Sequence, residues 1–287
     1  MLSTDRFVPI LGPGSQPGED DGARLEYMAM PKGMATHQPI VLPELEDSQR
    51  FKPALALLRE LSTRLDGYRV GTAPVSLDLS LLDEPNRSFV NQMLGEGEVS
   101  IRVEGVRRAV IQESVLAGVW LVRETDAAGR VVRDTVEAGE IPALVQEAVR
   151  AGPVDCPLIG DIPQGVSAGL VSAMPLLTEI QERVRAHRPG QAAHVINLSL
   201  LPVSAEDLQF LSAVLGTGTV YILSRGYGNC RITNAGIAKV WWVQYYNSTD
   251  ALILNTLEIG DVPAAACAAP EDIEDSAQRL RETLETL

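Results

Sequence analysis

The chain repeats itself. LLRELSTRL (57–65) returns as LLTEIQERV (176–184), and SLDLSLL (76–82) returns as INLSLL preceded by Val195 (195–201), both displaced by 119 residues. From Leu94 to Pro142 against Leu215 to Pro263 the displacement is 121, no gap is needed, and 15 of 49 positions are identical, where chance gives roughly three. The shared positions include Gly95/Gly216, Gly97/Gly218, Gly105/Gly226, Trp120/Trp241 and Pro142/Pro263. A repeat of this length must serve one scaffold twice, and two copies make a duplication rather than a solenoid.

The local pattern says what that scaffold is. Ala54, Leu57, Leu58, Leu61 and Leu65 fall on one helical face. VSLDLSLL (75–82) alternates as a strand. Asp83-Glu84-Pro85 opens a second helix that ends at Gly95. Three strands follow, VSIRV, IQESVLAGVWLV and VVRDTVE, and a short helix around 143–150 closes the unit. In the second copy Ser204-x-x-Asp207 repeats the helix start, Gly216 the stop, and a final helix carries Ile273, Ala277, Leu280 and Leu284. The expected fold class is α+β, a tandem duplication of two α-β-α-β-β-β-α units of about 100 residues each. Residues 1–50, rich in Pro and Gly, read as an extended, partly disordered arm, 51–152 as the first repeat, 153–169 as a Pro/Gly-rich linker and 170–287 as the second repeat.

Composition narrows the function. With 45% apolar and 22% charged residues the chain can bury a core, and a net charge of -14 argues against nucleic acid as a partner. Cys156, Cys230 and Cys267 are odd in number and lack CxxC spacing, so neither a disulfide framework nor a zinc ribbon fits. Met1 is followed by polar Ser3, Thr4, Asp5 and Arg6, without the basic segment and apolar run of a signal peptide, and no apolar run is long enough to span a membrane; a cytoplasmic protein is expected.

Two copies on one scaffold act as controls for each other. Gly226 and Ile232 keep Gly105 and Ile111, but Arg225, Tyr227, Gly228, Asn229 and Cys230 stand where the first copy has Glu104, Val106, Arg107, Arg108 and Ala109. The turn LSRGYGNCRI is therefore scaffold whose chemistry belongs to the second copy. Strand alternation adds a second contrast. One face is apolar in both copies: Val99, Ile101, Trp120 and Val122 match Val220, Ile222, Trp241 and Val243. On the other face Ser100, Arg102, Leu121, Thr125 and Arg133 become Tyr221, Leu223, Trp242, Tyr246 and Leu254. A face that gains apolar and aromatic residues marks either an interface or a patch covered by the chain itself. The expected partner-binding set is Tyr221, Leu223, Arg225, Gly226, Tyr227, Gly228, Asn229, Cys230, Arg231, Trp242 and Tyr246, with Trp242 a surface anchor and with Arg225 or Arg231 favouring the Cys230 thiolate.

No GxxxxGK[ST] loop, strand-linked GxGxxG or GxSxG elbow is present, and His37, His187 and His194 match no metal-ligand spacing. Gln112 and Glu113 read as a solvated strand pair. No metal, no cofactor and no enzymatic activity are expected, with a thiol hydrolase built on Cys230, His194 and an Asn left open, since such partners meet in space.

The segments GMATHQPIVLPE, LGEGEVSI, IQESVLAGVWLV, INLSLLP, ILSRGYGNCRI and VWWVQYYNS, in that order, resemble the HupH/HyaF family of hydrogenase expression and formation proteins over roughly residues 30–280. The resemblance implies a non-enzymatic accessory factor for maturation of an uptake nickel-iron hydrogenase, with the iron-sulfur small-subunit precursor as partner before its export, and other maturation proteins as further partners. The alternative is an assembly factor that handles an iron-sulfur cluster or redox chemistry through Cys230, holding a cluster only in transit.

Overall fold

The computed structural model describes residues 49–150, 170–226 and 228–287. Apart from Gln49 and Arg50, the expected arm and the linker fall outside them, as does Tyr227.

Each copy begins with a pair of helices that cap one another. Helix α1 (Lys52–Asp66) buries Ala54, Leu55, Leu58, Leu61 and Leu65, the stripe its spacing requires. Its own N-cap, Phe51, offers no side-chain acceptor. Asn86 of α2 (Glu84–Leu94) supplies one instead, its Oδ1 accepting the Ala54 N–H at 3.1 Å. Asp83 caps α2 and Gly95, at φ 57°, ends it, a conformation only glycine adopts without strain. The second copy repeats the device with α4 (Ala173–Ala186) and α5 (Ala205–Leu215). Asp207, the counterpart of Asn86, accepts from the N–H groups of Ser172 and Ala173 at 3.1 and 2.9 Å while completing the Ser204 capping box.

The strands of the first copy are β1 (Val75–Asp78), β2 (Val99–Val103), β3 (Arg108–Glu113), β4 (Val119–Thr125) and β5 (Val131–Ala138). Those of the second are β6 (His194–Asn197), β7 (Val220–Ser224), β8 (Asn229–Asn234), β9 (Val240–Tyr246) and β10 (Leu252–Ile259). The run 111–122, expected as one strand, is a hairpin. Ser114 Oγ accepts the Leu116 N–H at 3.0 Å and Gly118 turns the chain at φ 79°, so each unit has four strands after its second helix. Alternation hid the turn because Val115, Leu116 and Ala117 are themselves apolar.

All ten strands form one antiparallel sheet in the order β1-β5-β4-β3-β2-β7-β8-β9-β10-β6. The copies join through β2 and β7, with Ile101 opposite Ile222. One face carries a core shared by both copies, in which Trp120 and Trp241 are fully buried beneath α3 (Ala143–Arg150) and the short 3-10 turn Ala264–Ala266. Adjacent strand residues point to opposite faces, so Val119 and Val240 belong to the other side. There α1, α2 and α6 (Pro270–Glu285) cover the outer strands of the first copy, and α4 and α5 cover those of the second.

Helix α6 belongs to the second copy by sequence and to the first by packing. Ile273, Ala277, Leu280 and Leu284 join the cluster of α1 and α2, and Arg281 pairs with Asp66. Ile273 presses on Gly118, where an added Cβ would lie 2.7 Å from Cγ1. The second copy has Lys239 at that position, at φ 67°, its Nζ donating to the carbonyls of Val184 and His187 at the end of α4. The place that α6 takes on the first copy is thus filled by a lysine on the second.

Candidate functional surface

The two helix groups leave the middle of their face uncovered, and Val110, on an inner strand, is 63% exposed. Two cross-strand rows of side chains run over this window. One is Arg123, Val110, Arg102, Tyr221, Thr233 and Trp242; the other is Leu121, Gln112, Ser100, Leu223, Arg231 and Gln244. The duplication exchanges the rows, so the window reads the same scaffold twice with different side chains.

In the second copy the window is aromatic and hydrogen-bonded. The Arg231 guanidinium lies 4.4 Å from the centroid of the Tyr246 ring, a cation-π distance. Tyr246 Oη donates to Gln244 Oε1 at 3.2 Å, and Gln244 Nε2 to Asn255 Oδ1 at 3.4 Å. Tyr221, Arg231 and Tyr246 are half-buried, which leaves part of each open to a partner. Burial, with the Glu104 charge adding, raises the Tyr221 hydroxyl pKa, so it stays protonated.

Three expected anchors are not surface residues. Trp242 is 8% exposed and sits in the core of α4 and α5 with Leu208, Leu211 and Leu257. Leu223 is also buried, on the sheet between Ser100 and Arg231. Leu254, expected on the same face, pairs with Tyr245 and lies on the opposite one, because a bulge between Leu252 and Leu254 shifts the alternation; Arg133 follows the same rule beside Glu124.

Cys230 is the third. It is 3% exposed and packs in the shared core, where the first copy has buried Ala109. Burial pushes its thiol pKa up to about 11 despite a hydrogen bond with Tyr245. Arg231 cannot lower it, since the next residue along a strand points to the opposite face. Neither reactive thiol chemistry nor partner contact is open to it in the folded chain. His194 pairs with Glu179 at 2.6 Å, with β9 and β10 between it and Cys230, so the thiol hydrolase has no dyad. His187 serves as the C-cap of α4, 3.4 Å from Asp261. Cys267 is half-buried at the margin of the same core, its thiol pushed up to about 12 by desolvation, with the Glu140 and Asp261 charges adding. Among the described residues no three His, Cys, Asp or Glu side chains converge as a metal site requires.

The turn of LSRGYGNCRI lies at the edge of the window and departs from its counterpart. Gly105 has φ 113°, whereas among the described residues of the second turn the positive φ belongs to Gly228 at 104° and not to Gly226. At Gly226 the backbone is unstrained and an added Cβ would meet the carboxylate of Glu98, the flexible end of a side chain. Glu98 comes from the first copy, and its carbonyl also accepts the Arg225 N–H at 3.2 Å. Gly226 and Gly228 are exposed, and Arg225 and Asn229 half-buried. Arg225 Nη2 is buried with no hydrogen-bond partner among the described residues.

The profile of the HupH hydrogenase expression protein, C-terminal conserved region, matches residues 52–151 and again 170–287. The chain belongs to the HupH hydrogenase expression protein family. Hydrogenase expression/formation protein HupQ of Azotobacter chroococcum is 46% identical over 290 residues, all of both chains. HoxQ of Cupriavidus necator is 45% identical over 280 residues, 96% of this chain and 95% of its own. Hydrogenase-1 operon protein HyaF of Escherichia coli is 32% identical over 287 residues, 99% and 98% of the two chains. The solved HupH of Thiobacillus denitrificans aligns with a TM-score of 0.37 and 28% identity, covering 40% of this chain and 97% of that one. The two segments that match the HupH profile are the two copies of the fold.

The first-copy half of the window escaped the sequence analysis. Arg102 entered only as the first-copy counterpart of Leu223, Val110 and Arg123 were not singled out, and Glu113 read as solvated. Glu113 is instead buried, accepting from the backbone N–H groups of Val99 and Gly118, and burial, with Glu98 and Asp272 nearby, pushes its carboxyl up to about 7. Its counterpart Asn234 accepts from Val220 N at 2.8 Å. An acceptor at that position is scaffold, which alignment of the two copies could have suggested.

Proposed function

We propose that the chain is a non-enzymatic accessory factor in hydrogenase maturation, a chaperone that binds the iron-sulfur small subunit of an uptake nickel-iron hydrogenase in the cytoplasm before export. The observation that carries this reading is full-length similarity to hydrogenase expression/formation proteins, at 46% identity over 290 residues. The uncovered window supports a binding role: it places Tyr221, Arg231 and Tyr246 beside an exposed glycine-rich turn. Tyrosine and arginine carry much of the energy of protein interfaces. Cluster handling through Cys230 finds no support in a thiol that is buried and hard to ionise.

The test is co-purification with the small-subunit precursor. The wild-type chain should retain the precursor, and Tyr246→Ala with Arg231→Ala should weaken binding by about 2 kcal/mol or more. A wild-type chain that fails to retain the precursor sinks the proposal.

A further inference from the structure

The first-copy half of the window holds a pocket of about 360 Å³, lined by Arg102, Glu104, Gly105, Arg108, Val110 and Thr125. Arg102 stands opposite Val110 across β2 and β3, and Arg108 opposite Thr125 across β3 and β4. The two guanidinium groups thus flank an exposed valine. On its other side Arg102 stands opposite Tyr221 of the second copy. Arg102 pairs with Glu104, while Arg108 has no ion-pair partner among the described residues. Val106 and Val131, the latter opposite Thr125, add exposed apolar surface at the same end of the sheet.

The second copy shows that this opening is a particular choice of side chains. Tyr246 replaces Thr125 and Arg231 replaces Val110, and the two stack on each other. Leu223 and Asn229 replace Arg102 and Arg108. Arg225 replaces Glu104, so both versions carry two arginines, but the second copy is filled by Tyr246 with Arg231 over its ring, whereas the first is open, with its two arginines flanking the exposed Val110.

Two arginines over an apolar floor suit a carboxylate that has an apolar neighbour, because the planar guanidinium fork binds carboxylate in a bidentate manner and its face accepts apolar contact. In a chain of net charge -14, a local excess of positive charge is also a steering device for an acidic group. We infer that the Arg102–Arg108 pocket receives a carboxylate from an acidic, partly apolar segment of the protein partner, with Tyr221 as the adjoining wall. This rests on the partner-binding reading above and names the chemistry it uses.

Two measurements on the full-length chain separate the inference from that reading. The first is calorimetric titration with acetyl-Glu-Val-Glu-Val-amide, with its glutamine analogue as control. The acidic peptide should bind, weaken at high salt, and lose at least tenfold in affinity in Arg108→Gln and in Thr125→Tyr, which fills the pocket as Tyr246 does. Arg183→Gln, on the exposed side of α4, removes the same charge elsewhere and should bind as wild type. Equal binding of the glutamine peptide, or unchanged binding in both pocket variants, overturns the inference. The second is retention of the small-subunit precursor by Thr125→Tyr, checked for native melting. Reduced retention supports the pocket as a client site. Retention equal to wild type overturns it and leaves the small-subunit proposal standing, whereas failure of the wild type to retain the precursor defeats that proposal while the titration still decides the carboxylate site.

Discussion

Ile101 and Ile222 face each other across β2 and β7, and they are the same position of the repeat. An approximate two-fold axis therefore passes between them, and the copies share a core that neither could close alone. Helix α6 reinforces the union by crossing to the first copy. Leu280 on α6 is 2% exposed within the cluster of α1 and α2, so Leu280→Ala should cost about 2–5 kcal/mol. Hydrogen exchange should rise in α1 of the first copy; exchange confined to α6 would show that its packing contributes little.

Trp242→Ala should destabilise the fold by about 3–5 kcal/mol, because it leaves a cavity beneath α4 and α5. Leu121, its counterpart, is only half-buried and should cost less when truncated. Urea denaturation of both variants tests this. A Trp242→Ala chain as stable as the wild type would mean that the indole does not support the core.

What the repeat could reveal, it revealed: equivalent tryptophans, the caps at Asp83 and Ser204, and the stops at Gly95 and Gly216 follow from local chemistry present in both copies. The pairing of β2 with β7 was hidden, because an antiparallel partner far along the chain leaves no periodic trace. Leu254 was misplaced because a bulge adds a residue that alternation cannot register. Trp242 was misread for a different reason. The enlargement from Leu121 to Trp242 between copies signals a change of surroundings, and packing against the chain's own helices satisfies that as well as a partner does.

Glu113 should make stability depend on pH in the unusual direction for a carboxyl. Its folded value is about 7 against about 4.3 unfolded, so the folded state holds the proton more tightly. The contribution is fully present below the unfolded value and is lost as pH rises through about 7. Between about pH 5.5 and about pH 8.5 the wild type should lose roughly 2 kcal/mol from this group. Glu113→Gln, which keeps an amide acceptor as Asn234 does, should flatten that slope. Parallel slopes for the two chains in urea titrations would remove Glu113 as the cause.

Native Cys230 should resist alkylation. At 3% exposure, with its pKa near 11, the thiolate is both scarce and shielded at about pH 8. Iodoacetamide should label it only as the chain unfolds, and Cys230→Ala, the residue of the first copy, should fold normally. Native labelling at the rate of a model thiol would mean that the β7–β8 hairpin opens.

Gly105 and Gly226 align in the repeat, yet alanine should damage them through different physics. At Gly105 the space is open, the nearest atom being Thr219 Cγ2 at 3.5 Å, but φ 113° strains any side chain. Gly105→Ala should cost about 1–2 kcal/mol whatever its neighbours. At Gly226 the dihedral imposes nothing, and the obstacle is the Glu98 carboxylate 2.2 Å from the new Cβ. That carboxylate is the end of a flexible chain and can swing aside, so Gly226→Ala should cost less than Gly105→Ala. The cost should vanish in a Glu98→Ala background, giving a coupling energy at Gly226 and none at Gly105. A double-mutant cycle by chemical denaturation measures both. Equal costs at Gly226 with and without the Glu98 side chain would show that its carboxylate is not the obstacle there.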